Sequence, residues 1–250
     1  MMSAPRRVKI PACALVGVIA SIDELRLATR MRAPPDLFEL RLDHLPNLRE
    51  SQLLKLRQPL IITARHPAEG GKKLRSARRD LLLKFLPRAK FVDVELRSLN
   101  ELGAVWDEAR RRRVGRICSF HDFKRTPEPA VLHKKLLRAR KAGADVFKVV
   151  TRAEDFRDLL TLFELLWNEL AGMRLCVMAT GKFGPISRLF FRDAGSSLIY
   201  APLRHPLHHG QLTFQELPRP TRFLNKKIVG ARIRCGVKFG ANFASFDSTA

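Results

Sequence analysis

RICSFHDFKRTPEPAVLHKKLLRARKAGADVFKVVT, residues 116–151, predicts a strand, a helix and a second strand in succession. Short apolar runs stand at both ends, RICSFHDF (116–123) and VFKVVT (146–151). The stretch between them has apolar residues at helical spacing, and Pro129 is expected in the first turn, where a missing N–H is tolerated. Such a unit is typical of parallel strands joined by a crossover helix.

The same alternation runs along the whole chain. Six further strands are predicted at 14–20, 37–43, 60–65, 91–96, 174–180 and 196–203. Amphipathic helical stretches are predicted at 21–31, 50–57, 78–86, 100–112 and 153–170. Eight strands alternating with helices predict a single-domain α/β protein, a closed (β/α)8 TIM barrel. An open doubly wound sheet is the alternative, but VGVIAS (16–21) has no G-x-G-x-x-G, which disfavours its nucleotide-binding versions.

Composition indicates a globular protein of a reducing compartment. The chain has 250 residues, of which 46% are hydrophobic. Its four cysteines (Cys13, Cys118, Cys176 and Cys235) are far apart and form no C-x-x-C pair, which argues against disulfides and a zinc site. No apolar run approaches the roughly 20 residues of a membrane span. Residues 1–21 resemble a signal peptide faintly, but SIDEL follows as a helix start would, so a cytoplasmic location is expected.

The chain is strongly basic, with 47 Lys and Arg against 24 Asp and Glu, a formal net charge of +23. Such an excess attracts polyanions without selecting one. A solvated basic surface, nucleic-acid binding and steering of an anionic substrate all remain open. In HKKLLRARK (133–141), Leu136, Leu137 and Ala139 are predicted to face inward and the charges outward. No aromatic residues interleave with these charges to stack bases, so we expect at most non-specific contact with nucleic acid.

Polar residues gather where a barrel would have its active site. In a TIM barrel the chemistry lies at the carboxyl ends of the strands and in the loops that follow. The residues at those places are Glu39, Arg41, Asp43, Arg65, Glu69, Asp93, Glu95, His121, Asp122 and Lys148. Several of them interrupt apolar runs, which loop polarity does not explain.

Lys148 and His121 are the residues that most suggest catalysis. Lys148 stands in the apolar run VFKVVT, where burial disfavours the charged ammonium, and a neutral amine can form a Schiff base with a ketone. The alternative is a lysine paired with a carboxylate such as Glu95. His121 ends the neighbouring strand and could act as general acid and base beside an imine. Its alternative is a strand-end histidine hydrogen-bonded to a loop.

Arginines and one glycine-containing turn suggest an anionic ligand. Arg41, Arg65 and Arg188 offer guanidinium groups suited to a carboxylate, although one of them could instead neutralise Glu39 or Glu69. In ATGKFGPISRL (179–189), a Gly-x-x-Gly spacing precedes a helix, so backbone amides could face an anion.

Together these motifs resemble the type I 3-dehydroquinate dehydratases, over about residues 9–217. The matching segments are FELRLDHL (38–45), IITARHPAEGG (61–71), VDVEL (92–96), SFHDFKRTP (119–127), GADVFKVVT (143–151), MATGKFGPISR (178–188) and HGQLTFQEL (209–217). The resemblance implies a (β/α)8 barrel that dehydrates 3-dehydroquinate to 3-dehydroshikimate through a lysine imine, in the shikimate pathway. It implies no cofactor and no metal, a small anionic substrate and a homodimer.

The resemblance also assigns roles to residues. Lys148 would form the Schiff base and His121 would be the general acid and base, while Asp122 would shape the loop. Glu69 would orient His121 or the substrate. Glu39, Arg41 and Arg65 would hold the substrate hydroxyls; Arg188 and Gln211 would bind its carboxylate side.

The chain departs from the family pattern at a few positions. Gly17 and Leu207 stand where hydroxyl residues are common, Thr180 where methionine is usual, and His209 where proline is usual. Residues 218–250 are predicted to form a peripheral basic extension, of which residues 225–250 match nothing in the family. Pro218 should end any helix from Thr213 near Leu217. Two other functions stay open, an aldolase-type Schiff-base enzyme and a catalytically weakened barrel that binds nucleic acid.

Overall fold

A computed structural model describes residues 13–74, 78–168 and 173–217, all within the unit Met1–Pro218. Eight strands form in chain order: β1 (Ala14–Ile19), β2 (Leu37–Arg41), β3 (Leu60–Thr63), β4 (Phe91–Glu95), β5 (Gly115–Asp122), β6 (Val146–Arg152), β7 (Arg174–Thr180) and β8 (Leu198–Pro202). Each coincides with a predicted strand and differs from it by a few residues at the ends. The predicted (β/α)8 fold is confirmed.

The strands form one parallel sheet in the order β7-β6-β5-β4-β3-β2-β1-β8, which brings the first and last strands side by side. The remaining seam lies between β7 and β8. Among the described residues no strand ladder joins them; the Ser197 N–H donates to the Leu175 carbonyl at 2.7 Å and the Val177 N–H to Ser196 Oγ at 3.0 Å. A serine side chain thus supplies part of the closure.

Within the described ranges, six helices cover the sheet: α1 (Ile22–Ala28), α2 (Arg78–Phe85), α3 (Gly103–Arg111), α4 (Pro129–Lys141), α5 (Phe156–Asn168) and α6 (Gly184–Ala194). Ser21 caps α1, since its hydroxyl accepts the Glu24 N–H, and Pro129 begins α4 as predicted. The helix predicted at 50–57 is wrong: one 3-10 turn forms at Glu50–Leu53. Leu53 is buried there while Leu54 is 69% exposed, so a longer helix would bury little more apolar surface.

One prediction for helix α4, the inward position of Leu137, is wrong. Leu132, Leu136 and Ala139 are buried, whereas Leu137 is 45% exposed and was wrongly predicted to face inward. A helix turns by about 100° per residue, so the step from Leu136 to the next residue leaves the buried face. The lysines and arginines of this helix face outward, as expected of a solvated face.

The barrel interior is filled in layers of four side chains from alternate strands, as this fold requires. The strand register gives the first two layers as Leu37, Phe91, Val146 and Leu198, then Val16, Ile61, Ile117 and Cys176. All eight of these residues belong to one apolar cluster. The layer above them consists of Glu39, Asp93, Lys148 and Tyr200. The barrel interior therefore changes from apolar to ionisable side chains at this third layer, near the carboxyl ends of the strands.

Several predictions fall at or beyond the ends of the described chain. The Leu217 N–H donates to the Thr213 carbonyl at 3.0 Å, which closes a single turn before Pro218. Residues 1–12, the extension 218–250 and Cys235 lie outside the described residues, so the domain boundary stays a prediction. Cys13, Cys118 and Cys176 are free thiols. Within the described ranges, no helix is long and apolar enough to cross a membrane, and no cluster of side chains could hold a metal.

Candidate active site

A pocket opens at the carboxyl ends of the strands, above the ionisable layer. All eight residues predicted for the site line it: Glu39, Arg41, Arg65, Glu69, His121, Lys148, Arg188 and Gln211. Strands β2, β5 and β6 supply four of them, and the segments after β3, β7 and β8 supply the others. The barrel topology therefore brings these residues together from distant parts of the sequence.

Lys148 lies at the floor of the pocket and is buried among charged and aromatic groups. Its Nζ is 3.0 Å from Asp93 Oδ2, 3.5 Å from Glu39 Oε1 and 3.7 Å from the centre of the Tyr200 ring. The alternative of a lysine paired with a carboxylate is therefore borne out, but the partners are Asp93 and Glu39. Glu95, the example named, instead accepts from Arg78 Nη2 at 2.5 Å and from the His66 N–H at 2.8 Å. Two carboxylates and a ring face thus compensate the buried ammonium.

Asp93 links Lys148 to a second cation. Arg65 donates to both of its carboxylate oxygens, at 3.0 and 2.9 Å, and Ser119 Oγ donates at 2.5 Å. Although burial opposes ionisation, the Arg65 guanidinium and then the Lys148 ammonium hold the pKa of Asp93 well below its usual range. Asp93 is therefore a carboxylate that fixes Lys148 beside the pocket.

The predicted alternative for the arginines was wrong. Arg65 is paired with Asp93 and with Glu95, at 3.3 Å, rather than with Glu69. Arg41 pairs with Asp43 through two hydrogen bonds, of 3.0 and 2.8 Å. Both arginines line the pocket with their charges largely compensated, so they offer little net charge to a ligand.

His121 and Glu69 form a buried pair. His121 Nδ1 lies 2.9 Å from Glu69 Oε2, and the same oxygen accepts the His121 backbone N–H at 3.0 Å. When Nδ1 carries the ring proton and donates it to Glu69, the lone pair of Nε2 is free. A carboxylate that orients an imidazole in this way prepares it to act as a base.

Burial shapes the electrostatics of this pair. It lowers the pKa of His121 well below 6.5, and the nearby charges of Arg65 and Lys148 add to the effect. Burial also raises the pKa of Glu69 to about 7, opposed by the Arg65 charge. At neutral pH the imidazole is therefore uncharged, and Glu69 is the group that changes its protonation.

Asp122, next to His121, shapes the loop as the resemblance implied. Its Oδ1 accepts the N–H groups of Lys124 at 3.0 Å and Arg125 at 3.2 Å. These bonds hold the backbone in a turn directly after β5, so the two adjacent polar residues have different tasks.

Arg188 is fully buried and has no carboxylate partner among the described residues. Its Nη1 donates to the carbonyls of Ala179, Gly184 and Gly210 at 2.9, 2.8 and 3.1 Å. Burial lowers its pKa to about 10, so it still carries a proton at neutral pH. A buried cation held only by carbonyls favours binding of an anion in the pocket that it lines.

Gln211 organises the loop after β8. Its Oε1 accepts the N–H of Leu207 at 2.7 Å and that of His208 at 3.1 Å. The carboxamide oxygen is thereby used in the loop of a side chain that lines the pocket.

The four departures from the family pattern have different surroundings. Leu207 lines the pocket, whereas Gly17, Thr180 and His209 are not among its lining residues. A Cβ at Gly17 would lie 2.9 Å from Leu203 Cδ2 and from Pro35 Cγ, so this glycine faces the layer outside the strands and allows close packing there. Of the four departures, Leu207 is therefore the one placed to contact a substrate in the pocket.

Three lining groups were not foreseen as parts of the site. Phe123 stacks on the His208 ring, with centroids 4.0 Å apart, and both line the pocket. Tyr200 joins the ionisable layer from β8. The sequence signal was weak, because Tyr200 stands in an apolar run and only the stagger between strands shows that it shares a layer with Lys148.

Comparisons with known proteins agree with this geometry. A family model described as type I 3-dehydroquinase matches residues 12–227. A 3-dehydroquinate dehydratase of Thermococcus gammatolerans is 35% identical over 218 residues, 81% of this chain and 95% of the relative. One of Pyrococcus abyssi is 36% identical over 193 residues, 73% of this chain and 84% of the relative.

Solved structures share the fold. A type I 3-dehydroquinate dehydratase from Clostridium difficile, determined with covalently modified comenic acid, is 25% identical with a TM-score of 0.72, covering 92% of this chain and 98% of that one. A 3-dehydroquinate dehydratase structure from Geobacillus kaustophilus has a TM-score of 0.74 at 22% identity, covering 93% of this chain and 98% of that one. The second likeness bears on the fold alone.

Proposed function

Because the chain belongs to the type I 3-dehydroquinase family, we propose that Lys148 and His121 carry out that family's reaction in it, the dehydration of 3-dehydroquinate to 3-dehydroshikimate. The activity is that of a lyase of the shikimate pathway. The single observation that supports these roles best is a buried lysine, at the floor of a pocket, beside a neutral histidine oriented by Glu69.

Lys148 would form the covalent intermediate. Its amine attacks the C3 ketone, the C–N bond forms, and the carbinolamine loses water to give an iminium ion. The ammonium held by Asp93 and Glu39 has to lose a proton first, and the neutral His121 imidazole is a base available in the same pocket. The iminium then withdraws electrons from C2, so the chemistry requires neither a metal nor an organic cofactor.

His121 would perform the proton transfers of the elimination. Its Nε2 takes a proton from C2, which the iminium has acidified, and the electron pair moves toward the C1 carbon. The C1 hydroxyl leaves as water with a proton from the same imidazole. Water then hydrolyses the imine, which releases 3-dehydroshikimate and restores Lys148. The Glu69 carboxylate stabilises the imidazolium in between, through the Nδ1 contact of 2.9 Å.

The substrate carboxylate would bind to Arg188 and the amide nitrogen of Gln211. In the described structure, Arg188 is the buried cation of the pocket lining whose hydrogen bonds go only to carbonyl oxygens. An anion should therefore bind more favourably beside Arg188 than beside the other arginines. Glu39 and Arg41 would take the ring hydroxyls from the opposite side of the pocket. Arg65 would act mainly through Asp93 and Glu95, which it holds in place.

A conversion assay tests this function, and its pH dependence tests the paired residues. Purified protein with EDTA and no added cofactor should form 3-dehydroshikimate from 3-dehydroquinate. The ionised Glu69 carboxylate accepts the His121 Nδ1–H more strongly than the neutral acid and stabilises the imidazolium by its charge, and burial raises its pKa to about 7. We therefore expect kcat/KM to rise with pH up to about 7 and then to level off, since His121 itself is neutral throughout that range.

Glu69→Gln should remove the rise of kcat/KM with pH, because glutamine does not ionise. The variant should show a lower, flat profile, with a loss smaller than the roughly 10²–10⁴-fold typical of a missing general acid or base. A rise of kcat/KM that stays at the same pH in Glu69→Gln would come from another group and contradict the role given to this pair.

We also propose that the protein is a cytoplasmic homodimer. Phe156 and Leu160 on α5, and Ile186 and Phe190 on α6, are between 43% and 63% exposed. Each pair has i, i+4 spacing, and the two helices pack together through the contact between the Phe163 and Phe190 rings. These four residues, the α5/α6 patch, form a continuous apolar surface of the kind that subunit interfaces cover.

Phe190→Glu is expected to convert the dimer to a monomer, because it places a charge in the centre of the α5/α6 patch. Light scattering on a sizing column measures the mass directly. Leu54→Glu is the matched control, since Leu54 is 69% exposed but lies outside the patch, and it should leave the dimer intact. A monomeric wild-type protein, or a dimer unaffected by Phe190→Glu, would contradict this interface.

A further inference from the structure

Tyr200 has a buried hydroxyl that the contacts of the folded chain leave unused. Among the side chains that the structure describes, its Oη is the one buried polar atom without a hydrogen-bond partner. The residue is 5% exposed and lines the pocket. A buried hydroxyl without a partner destabilises the folded chain. Each such group in a native protein therefore calls for an explanation, and a catalytic role is one.

The position of the ring places this hydroxyl beside the reacting amine. Tyr200 shares its layer with Glu39, Asp93 and Lys148, and Lys148 Nζ lies 3.7 Å from the ring centre. The phenol oxygen is one ring radius and one C–O bond from that centre. A carbonyl oxygen under attack by Nζ is two bonds from the nitrogen, so it comes close to this ring and its hydroxyl.

The other polar groups of the layer are already occupied. Glu39 accepts from Thr63 Oγ1 at 2.8 Å and from Lys148, and Asp93 accepts from Arg65, Ser119 and Lys148. Neither carboxylate bonds the phenol. Burial raises the pKa of Tyr200 well above 10, which keeps the hydroxyl protonated and able to donate.

We propose that the Tyr200 hydroxyl binds the substrate, by donating a hydrogen bond to the oxygen of the carbon that Lys148 attacks. The inference rests on the proposed imine chemistry. During attack the C–N bond forms and the carbonyl π pair moves to oxygen, where the phenol O–H stabilises the developing negative charge. The phenol keeps its proton. The oxygen leaves as water after it has received one proton from the attached nitrogen and one from the His121 imidazolium, which formed when Lys148 lost its proton.

Tyr200→Phe isolates the hydroxyl, because it keeps the ring face that Lys148 contacts. Rapid mixing with 3-dehydroquinate, followed by borohydride at timed intervals and intact-mass analysis, gives the rate of imine formation. We expect this rate to fall at least tenfold, toward the roughly 10²–10³-fold loss seen when one oxyanion donor is removed. The melting temperature should stay equal or rise, since the unpartnered hydroxyl is gone.

The outcomes separate this inference from the proposed function. Wild type that forms the adduct on Lys148, with Tyr200→Phe equally fast, would overturn the role of Tyr200 alone. Wild type without any adduct would overturn both. A lower melting temperature in Tyr200→Phe would also contradict the inference, because it would mean that the hydroxyl has a structural partner within the folded chain.

Discussion

Lys148→Ala is expected to abolish turnover, by roughly the 10⁶-fold seen when a covalent nucleophile is removed from a protease. Lys148 is the amine at the floor of the pocket, and without it neither the iminium nor the acidified C2–H can form. Steady-state formation of 3-dehydroshikimate measures the loss, and borohydride should leave the mass of the variant unchanged.

Lys148→Arg is the control for charge. Removing the ammonium leaves Asp93 and Glu39 with one cation fewer, and breaking a buried pair in this way can cost about 3–5 kcal/mol of stability. Arginine keeps a positive charge beside both carboxylates but does not deprotonate, so it cannot form an imine. We expect it to fold and to be as inactive as the alanine variant. Turnover retained in Lys148→Arg would show that charge, not the amine, is what the reaction needs.

His121→Ala should lower turnover by at least the 10²–10⁴-fold typical of a lost general acid or base, because the same imidazole serves several steps. The Lys148 amine remains, so the variant should still accumulate a substrate imine that borohydride traps, but more slowly, because water has to replace His121 as the base for the Lys148 ammonium. Intact-mass analysis of the trapped variant, beside its kcat, separates covalent attack from proton transfer.

His133→Ala is the matched control, since His133 is an exposed histidine on α4. It should retain wild-type turnover. Near-wild-type turnover in His121→Ala would place the proton transfers on another group, and a complete loss of trapping would mean that the imidazole is needed to deprotonate Lys148 before attack.

The sequence predicted the parts of this protein that depend on periodicity and topology. The strand runs and the crossover pattern define a barrel, and a barrel places the carboxyl ends of all its strands around one opening. Residues as distant as Glu39 and Lys148 could therefore be assigned to one pocket before any coordinates, whereas Gln211 was assigned only through the family resemblance. Helix α4 shows the limit of the hydrophobic pattern. Leu137, next to the buried Leu136, was predicted to face inward but is exposed.

Pairing between side chains depends on the stagger of the strands, which composition and periodicity do not encode. Lys148 was matched with Glu95 as its alternative partner, but two residues of stagger put Asp93 in its layer instead. The same stagger brings Tyr200 from β8 to the amine. Glu95 lies two layers higher and pairs with Arg78, whose side chain reaches the barrel from α2.

The site carries groups whose arrangement favours chemistry over stability. Arg188 is buried with carbonyl partners only, the Tyr200 hydroxyl has no partner, and burial pushes the pKa values of Glu69 and His121 toward their uncharged forms. Each is a local cost that a bound anion, a substrate oxygen or a proton transfer would offset. Clusters of this kind mark functional sites rather than ordinary cores.

Borohydride reduction of the wild-type protein during turnover tests the central claim most directly. The account predicts one covalent adduct per chain, with the mass of the reduced substrate imine, mapped by peptide sequencing to Lys148. The neighbouring Lys182, on the segment before α6, serves as the internal comparison and should stay unmodified. An unchanged mass, or an adduct on any lysine other than Lys148, would contradict the account.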